Sequence, residues 1–232
     1  NPLIVHIKDP KSAELWAEIP RPAELLIEKF WPGALTLVMP VKKTAGSLSK
    51  IVTAGLETIA LRVPNSAIAL ELLKEFGKPI AAPSANLSGK LSTTRAKDVL
   101  SDLSGEISAI IDGGSCTIGL ESTIIGFNQD NAVLLRPGGI PLEIIENELG
   151  KKVKIFKQDK TVGEVLSSPG QMLSHYAPKT KLRLNVNIPE KEELYLGFGR
   201  MPEKTLGLTL SESSNLVEAS INFFSTRHPP QQ

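Results

Sequence analysis

The stretch 78-KPIAAPSANLSGKLSTT-94 decides the fold prediction for this chain of 232 residues. Pro79 to Ala82 is a short apolar run, which predicts a buried strand, and the polar residues after it predict a loop. Such a loop offers hydroxyls, an amide and backbone N–H groups in one patch, which suits a phosphate or acyl phosphate better than a metal. The alternative is a plain polar turn between a strand and a helix.

Short apolar runs alternate with helical patterns on both sides of this stretch. Helices are predicted at residues 11–19, 66–76, 95–103 and 141–150, and strands at 2–7, 34–39, 58–63, 107–111, 122–127 and 132–135. The strand interiors are apolar, whereas the polar residues fall at strand ends. This pattern is typical of a sheet with a ligand groove at one edge.

The composition excludes several classes of protein. Hydrophobic residues make up 41% and charged residues 22% of the chain, which is typical of a soluble globular protein. The net charge of +1 argues against non-specific nucleic-acid binding, although a local basic patch stays open. A single cysteine, Cys116, permits no intramolecular disulfide and favours a cytoplasmic setting. No apolar run approaches the ~18 residues of a membrane span.

The character of the sequence changes after residue 150. Residues 151–171 are polar and lysine-rich, and short strands at 182–186, 193–198 and 205–210 precede a helix at 214–224. We therefore predict a domain at 1–150, a linker at 151–180 and a partial small α/β domain at 181–232. Because the chain starts without Met in an apolar strand, we expect the first domain to begin upstream.

Two arginines at strand ends are the first candidates for a binding role. Arg62 lies in the apolar run TIALRV, and Arg136 ends the run AVLLR. Each is a snorkelling residue at the sheet edge, a structural ion pair, or a guanidinium aimed at a carboxylate or phosphate. Ser122, within Glu121-Ser122-Thr123, adds a hydroxyl, and His6 ends an apolar strand. Three His and one Cys, without an HxH or CxxC pair, argue against a zinc site.

Six blocks of sequence resemble the YrdC-like L-threonylcarbamoyladenylate synthases, in the order found in that family. The blocks are NPLIVH (1–6), FWPGALTLV (30–38), LRVPN (61–65), APSANLSG (82–89), ESTII (121–125) and LRPGGI (135–140). SPGQMLSHYAP (168–178) resembles the linker of the longer, two-domain form.

The resemblance implies an α/β fold with a twisted mixed sheet and flanking helices around a concave ligand cavity. It implies an enzyme that joins L-threonine, bicarbonate and ATP into threonylcarbamoyl-AMP with release of pyrophosphate. The Mg²⁺ would come with ATP and need no protein side-chain ligands. The product would pass to the tRNA threonylcarbamoyl-transfer machinery; direct tRNA binding stays open.

The resemblance also assigns site residues by motif. Threonine would be held by His6, Arg62, Ala82 and Ser122. ATP would be held by Thr58, Ser84, Asn86, Ser92, Arg136 and Tyr176, with Tyr176 folding over the nucleotide as a lid. Arg62 and Arg136 would stabilise charge, and no residue would act as a covalent catalyst.

Two features depart from the family pattern, and two other functions stay open. The family's upstream PTET-type strand exit and Lys-x-Arg pair are not in this sequence, and 171-QML-173 replaces a more basic, aromatic run. The alternatives are an RNA-binding module of the same fold without adenylation activity, and a carbamoyl-transfer domain of the hydrogenase-maturation type.

Overall fold

The computed structural model describes residues 2–44, 46, 48–87, 90, 92–156, 181–203 and 205–225. These residues form two compact units. The first unit contains residues 2–83 and 121–156, and the second contains residues 84–120 and 181–225. This grouping differs from the predicted division at residues 150 and 180, which stays a prediction.

The first unit is built on a seven-stranded mixed sheet in the order β4-β1-β3-β2-β5-β6-β7. The strands are β1 (Ile4–His6), β2 (Leu35–Pro40), β3 (Thr58–Arg62), β4 (Ile80–Ala81), β5 (Thr123–Asn128), β6 (Asn131–Arg136) and β7 (Lys154–Ile155). The predicted mixed α/β fold is therefore confirmed. Five of the six predicted strands before residue 136, together with the run at Pro79 to Ala82, become strands of this sheet.

The directions of the central strands determine which strand ends lie together at each end of the sheet. β1 is parallel to β3, β3 is antiparallel to β2, β2 is parallel to β5, and β5 is antiparallel to β6. The last residues of β1, β3 and β6 therefore lie at the same end of the sheet as the first residues of β2 and β5. The outer strand β4 runs antiparallel to β1.

One face of the sheet carries the main hydrophobic core. Alternate residues of the strands, such as Val5, Leu61, Leu37 and Ile125, point into it, because successive strand side chains face opposite sides. The helices of this unit are α1 (Arg21–Phe30), α2 (Lys50–Thr53), α3 (Ala67–Phe76) and α5 (Leu142–Leu149), and α1 lies against α5.

The opposite face has a much smaller apolar cluster. It contains Ile4, Val38, Ala60 and Ile124, with Leu135 packed against them. Because the remaining side chains on this face include polar ones, it is the face on which a ligand site can be built.

The second unit contains α4 (Ala96–Leu103), a parallel pair of strands and α6 (Leu216–Ser225). The pair is β8 (Tyr195–Gly197) with β9 (Gly207–Thr209). These elements agree with two of the three strands and with the last helix predicted after residue 180. No helix among the described residues is both long and apolar enough to cross a membrane.

Three predicted elements are wrong. Residues 10–15 form a short 3-10 helix instead of an α-helix at 11–19, because the following residues pair with the end of β2. In that pairing, Glu18 N–H donates to the Pro40 carbonyl and Lys42 N–H to the Trp16 carbonyl. Residues 107–111, an apolar run, and 182–186, which alternate apolar and polar side chains, have no ladder partner among the described residues, and neither forms a strand.

Candidate functional site

Polar side chains from five strands meet at one end and on one face of the sheet. His6 ends β1, Arg62 ends β3 and Arg136 ends β6, while Thr36 is the second residue of β2 and Ser122 directly precedes β5. All five lie on the face of the small apolar cluster. His6, Arg62, Thr36 and Ser122 are each two residues away, along the chain, from a member of that cluster, and Arg136 pairs with Ile124.

His6 and Arg62 are neighbours across β1 and β3. The two residues are register partners, and β4 places Ile80 on the other side of His6. Burial, followed by the positive charge of Arg62, lowers the pKa of His6 from 6.5 to about 4, although backbone carbonyls of Ile80 and Ile4 oppose the shift. The imidazole is therefore neutral at pH 7. Its Nδ1 atom is buried and makes no hydrogen bond within the part of the chain that the structure describes.

Arg62 is held in place by the turn that precedes β2. Its Nε donates to the Gly33 carbonyl at 2.9 Å, and Gly33 N–H donates to the Val63 carbonyl at 2.9 Å. A side chain at Gly33 would meet the Phe30 carbonyl oxygen at 2.2 Å, so only glycine fits this position. The sequence block FWPG therefore supports the orientation of Arg62.

Arg136 binds the chain at Ser122 through several hydrogen bonds. Its Nε and Nη2 donate to the Ser122 carbonyl at 3.1 and 2.8 Å, and Nη2 donates to Ser122 Oγ at 3.0 Å. The Glu121 carboxylate lies 3.5 Å from Nη2 and balances its charge. Arg136 is almost fully buried, at 8% exposure. Arg136, which is predicted to bind ATP, is therefore hydrogen-bonded to Ser122, which is predicted to bind threonine.

The turn after β6 presses closely against the same segment. A Cβ at Gly138 would lie 2.4 Å from both the Glu121 carbonyl oxygen and the Thr123 nitrogen. Gly139 N–H donates to the Glu121 carbonyl at 2.8 Å. Thr123 Oγ1 completes the contact by donating to the Ile140 carbonyl at 2.7 Å. The sequence blocks ESTII and LRPGGI therefore pack directly against each other.

Thr36 is the site residue that the sequence did not reveal. Its hydroxyl lies 2.7 Å from Ser122 Oγ, and the residue is fully buried. The sequence pattern predicts it only as part of the apolar strand at 34–39. The available signal was a hydroxyl residue inside an otherwise apolar run, since a buried hydroxyl requires a hydrogen-bond partner.

Two other predicted residues of this unit lie on the same face at different places. Ala82 continues β4, and its N–H donates to the Ile4 carbonyl at 3.0 Å. Thr58 begins β3 and pairs with Pro40, so it lies at the opposite end of the strand from Arg62. Thr58 and Arg62 are four steps apart along the strand, which places their Cα atoms about 13 Å apart.

Ser84, Asn86 and Ser92 belong to a loop of the second unit, described here by itself. The Asn86 amide donates to the Leu87 carbonyl at 2.9 Å and to the Lys90 carbonyl at 3.2 Å, so it shapes the loop. Asn86 Oδ1 is buried and has no hydrogen-bond partner among the residues that the structure describes. Ser84 is exposed, whereas Ser92 is buried.

Tyr176 lies outside the described residues. Among the residues that are described, no group of three His, Cys, Asp or Glu side chains could hold a metal ion. The charged groups at the end of the sheet are Arg62, Arg136 and Glu121, so this region has a net positive charge at pH 7. Its chemistry suits an anion with several oxygen atoms.

A separate cavity of about 540 Å³ lies on the other face of the first unit's sheet. Val5 and Ala81 line it, and both point away from the face of His6. Its other lining residues are mostly apolar, and it contains none of the predicted site residues.

Comparison with known proteins identifies the family of this chain. The sequence model of the Sua5/YciO/YrdC family, described as "Telomere recombination", matches residues 1–138. The chain belongs to this family. Relatives named threonylcarbamoyl-AMP synthase are 50% identical over 221 residues in Bacillus subtilis and 46% identical over 184 residues in Pyrococcus abyssi. These matches cover 94% and 78% of this chain.

The structure of this chain is also similar to solved structures of the family. A crystal structure of P. abyssi Sua5 complexed with L-threonine matches 98% of this chain and 71% of that chain, with a TM-score of 0.81 and 38% identity. Escherichia coli YciO shares the fold over 62% of this chain and 68% of that chain, with a TM-score of 0.54 and 22% identity. The matched regions span 63% of the B. subtilis relative and 53% of the P. abyssi relative, so this chain covers only part of their length.

Proposed function

We propose that this chain carries the threonine-binding centre of an L-threonylcarbamoyladenylate synthase. The observation that carries the proposal is the meeting of His6, Arg62 and Ser122 at one end of one sheet face. The relatives named threonylcarbamoyl-AMP synthase, and the P. abyssi Sua5 structure complexed with L-threonine, support this choice of substrate.

Each residue has a role that its surroundings support. Arg62 is a fixed, permanently charged fork that suits the threonine carboxylate. His6 is neutral at pH 7, so its unpartnered Nδ1 can make a hydrogen bond without adding a second positive charge beside Arg62. Ser122 offers a hydroxyl held by Arg136, and Ala82 offers main-chain groups at the edge of the same face.

The reaction proceeds in two steps. The threonine amine attacks bicarbonate, forming an N–C bond and releasing water, which gives a carbamate. A carbamate oxygen then attacks the α-phosphate of ATP; an O–P bond forms, the bond to the β-phosphate bridging oxygen breaks, and pyrophosphate leaves. Positioning and charge stabilisation supply the catalysis, because no covalent nucleophile is needed.

The nucleotide side of the proposal rests on the family motifs. Thr58, Ser84, Asn86, Ser92, Arg136 and Tyr176 would bind ATP. The ~13 Å between Thr58 and Arg62 suits two parts of a long ligand. Mg²⁺ would be held mainly by the ATP phosphates, where it would neutralise charge, since the polar groups at this site are hydroxyls, an amide and arginines. We further propose a cytoplasmic setting and transfer of the product to the tRNA-modifying machinery.

Pyrophosphate release by the full-length protein with ATP and Mg²⁺ tests the proposed function. We expect release that requires both L-threonine and bicarbonate. Release that ignores threonine but requires carbamoyl phosphate would instead support the carbamoyl-transfer function of the hydrogenase-maturation type. RNA binding without any pyrophosphate release would support the RNA-binding module.

A further inference from the structure

The helix α6 of the second unit lies directly against the loop that precedes Glu121. An ideal Cβ at Gly119 would lie 2.2 Å from the Ser220 carbonyl oxygen and 2.8 Å from the Ile221 carbonyl oxygen, both in α6. A real Cβ does not approach backbone atoms that closely, so only glycine permits this contact. Gly119 and α6 both belong to the second unit, and Gly119 is a point at which they meet.

Both sides of this contact are anchored by hydrogen bonds within the second unit. Asn222 Nδ2 donates to the Leu210 carbonyl at 2.9 Å, which ties α6 to the residue that follows β9. On the loop side, Cys116 N–H donates to the Thr94 carbonyl at 2.9 Å, two residues before α4 begins. Because α6 and the loop are each held from behind, their contact at Gly119 restrains the backbone there.

Gly119 is only two residues before Glu121, which contacts the arginine that holds Ser122. The Glu121 carboxylate lies 3.5 Å from Arg136 Nη2, and the Glu121 carbonyl accepts a hydrogen bond from Gly139 N–H at 2.8 Å. Arg136 Nη2 in turn donates to Ser122 Oγ. Two residues of chain span at most about 7 Å, so a displacement of Gly119 is passed on to Glu121 instead of being absorbed by a long loop.

We infer that Gly119 is a positioning residue, whose contact with α6 fixes the chain that enters Glu121 and Ser122. The docking of α6 and the binding of threonine then favour each other, because a coupling between two equilibria acts equally in both directions. This inference rests on the proposed function and deepens it, since it assigns control of the threonine site to a helix near the end of the chain.

Hydrogen exchange of the full-length protein, followed by mass spectrometry with and without saturating L-threonine, tests this coupling. We expect threonine to slow exchange of the α6 amides in wild type about ten-fold, which lies in the usual range of coupling between sites. In Gly119→Ala, α6 should exchange faster, and threonine should change its exchange less than about two-fold. Calorimetry should show threonine binding to Gly119→Ala weakened about ten-fold, because the coupling is reciprocal. Gly46→Ala, whose added Cβ meets no atom within 4 Å, is the control and should match wild type in both measurements.

The outcomes separate this inference from the proposed function. If Gly119→Ala releases α6 but binds threonine as tightly as wild type, α6 only supports local packing and the inference is overturned. Urea unfolding followed by Trp16 and Trp31 fluorescence checks that the first unit remains folded in the variant. The wild-type protein gives a second test that needs no variant. If threonine binds in calorimetry and leaves the exchange of α6 unchanged, the inference is overturned, whereas a wild-type protein that binds no threonine contradicts the proposed function itself.

Discussion

The neutral His6 makes the stability of the first unit depend on pH between about 6.5 and 4. Burial and the charge of Arg62 lower the His6 pKa to about 4 in the folded protein, while an unfolded chain has the ordinary value of 6.5. Between these values the unfolded state binds the additional proton. The contribution of His6 to stability is therefore complete above pH 6.5 and is lost as the pH falls toward 4.

The magnitude follows from the two pKa values. At pH 5 an unfolded His6 is almost fully protonated, whereas the folded residue is mostly neutral. The difference lowers the free energy of unfolding by about 2 kcal/mol relative to pH 7, since one pKa unit corresponds to ~1.4 kcal/mol. Other ionisable groups add their own pH dependence, so the variant must be compared with wild type at each pH.

Urea unfolding at pH 7, 6 and 5 measures this effect. The two tryptophans, Trp16 and Trp31, both lie in the first unit and report on its unfolding by fluorescence. His6→Asn keeps a polar side chain that does not titrate, and its loss of stability from pH 7 to pH 5 should be smaller than that of wild type by about 2 kcal/mol. Equal pH dependence in His6→Asn and wild type would show that His6 is not held neutral in the folded protein.

Three further predictions concern the site and its supports. Arg62→Ala should weaken threonine binding in calorimetry by about 1.5–3 kcal/mol, the range for a charged hydrogen bond, whereas the exposed Arg21→Ala should have no effect; unchanged affinity in Arg62→Ala would make Arg62 purely structural. Gly138→Ala should lower stability by more than ~2 kcal/mol in urea unfolding, because the added Cβ collides with backbone, whereas Gly46→Ala meets no atom within 4 Å; equal midpoints would contradict the close contact. Tyr176→Ala should lower nucleotide affinity more than threonine affinity in the same calorimeter, and the reverse order would refute the lid.

The central sheet could be predicted from the sequence because its strands are strongly apolar and bounded by turn residues. Thr58–Arg62 and Thr123–Asn128 are examples, and each is found within one residue of its predicted limits. The run at 107–111 has the same apolar character but no strand beside it. A strand exists only where a neighbour accepts and donates its backbone hydrogen bonds, and local sequence does not report that neighbour.

The site could be predicted only in part for a similar reason. Arg62 and Arg136 were recognisable because charged residues are rarely placed in apolar strands without a partner. Their actual contacts depend on which strands are adjacent and in what register, as the bond from Arg136 to Ser122 shows. Thr36 was missed because its importance comes entirely from a contact with a residue 86 positions later in the chain.

The strand order has a consequence for how the chain folds during its synthesis. β1, β2 and β3 emerge from the ribosome before β5 and can bring His6 beside Arg62. β2 gains its second neighbour only when β5 has been made, after residues 84–120. During that interval the apolar β2 is an unprotected edge strand, able to pair with another nascent chain. The half of the centre that holds Ser122 and Arg136 therefore forms last, and its formation removes this risk of aggregation.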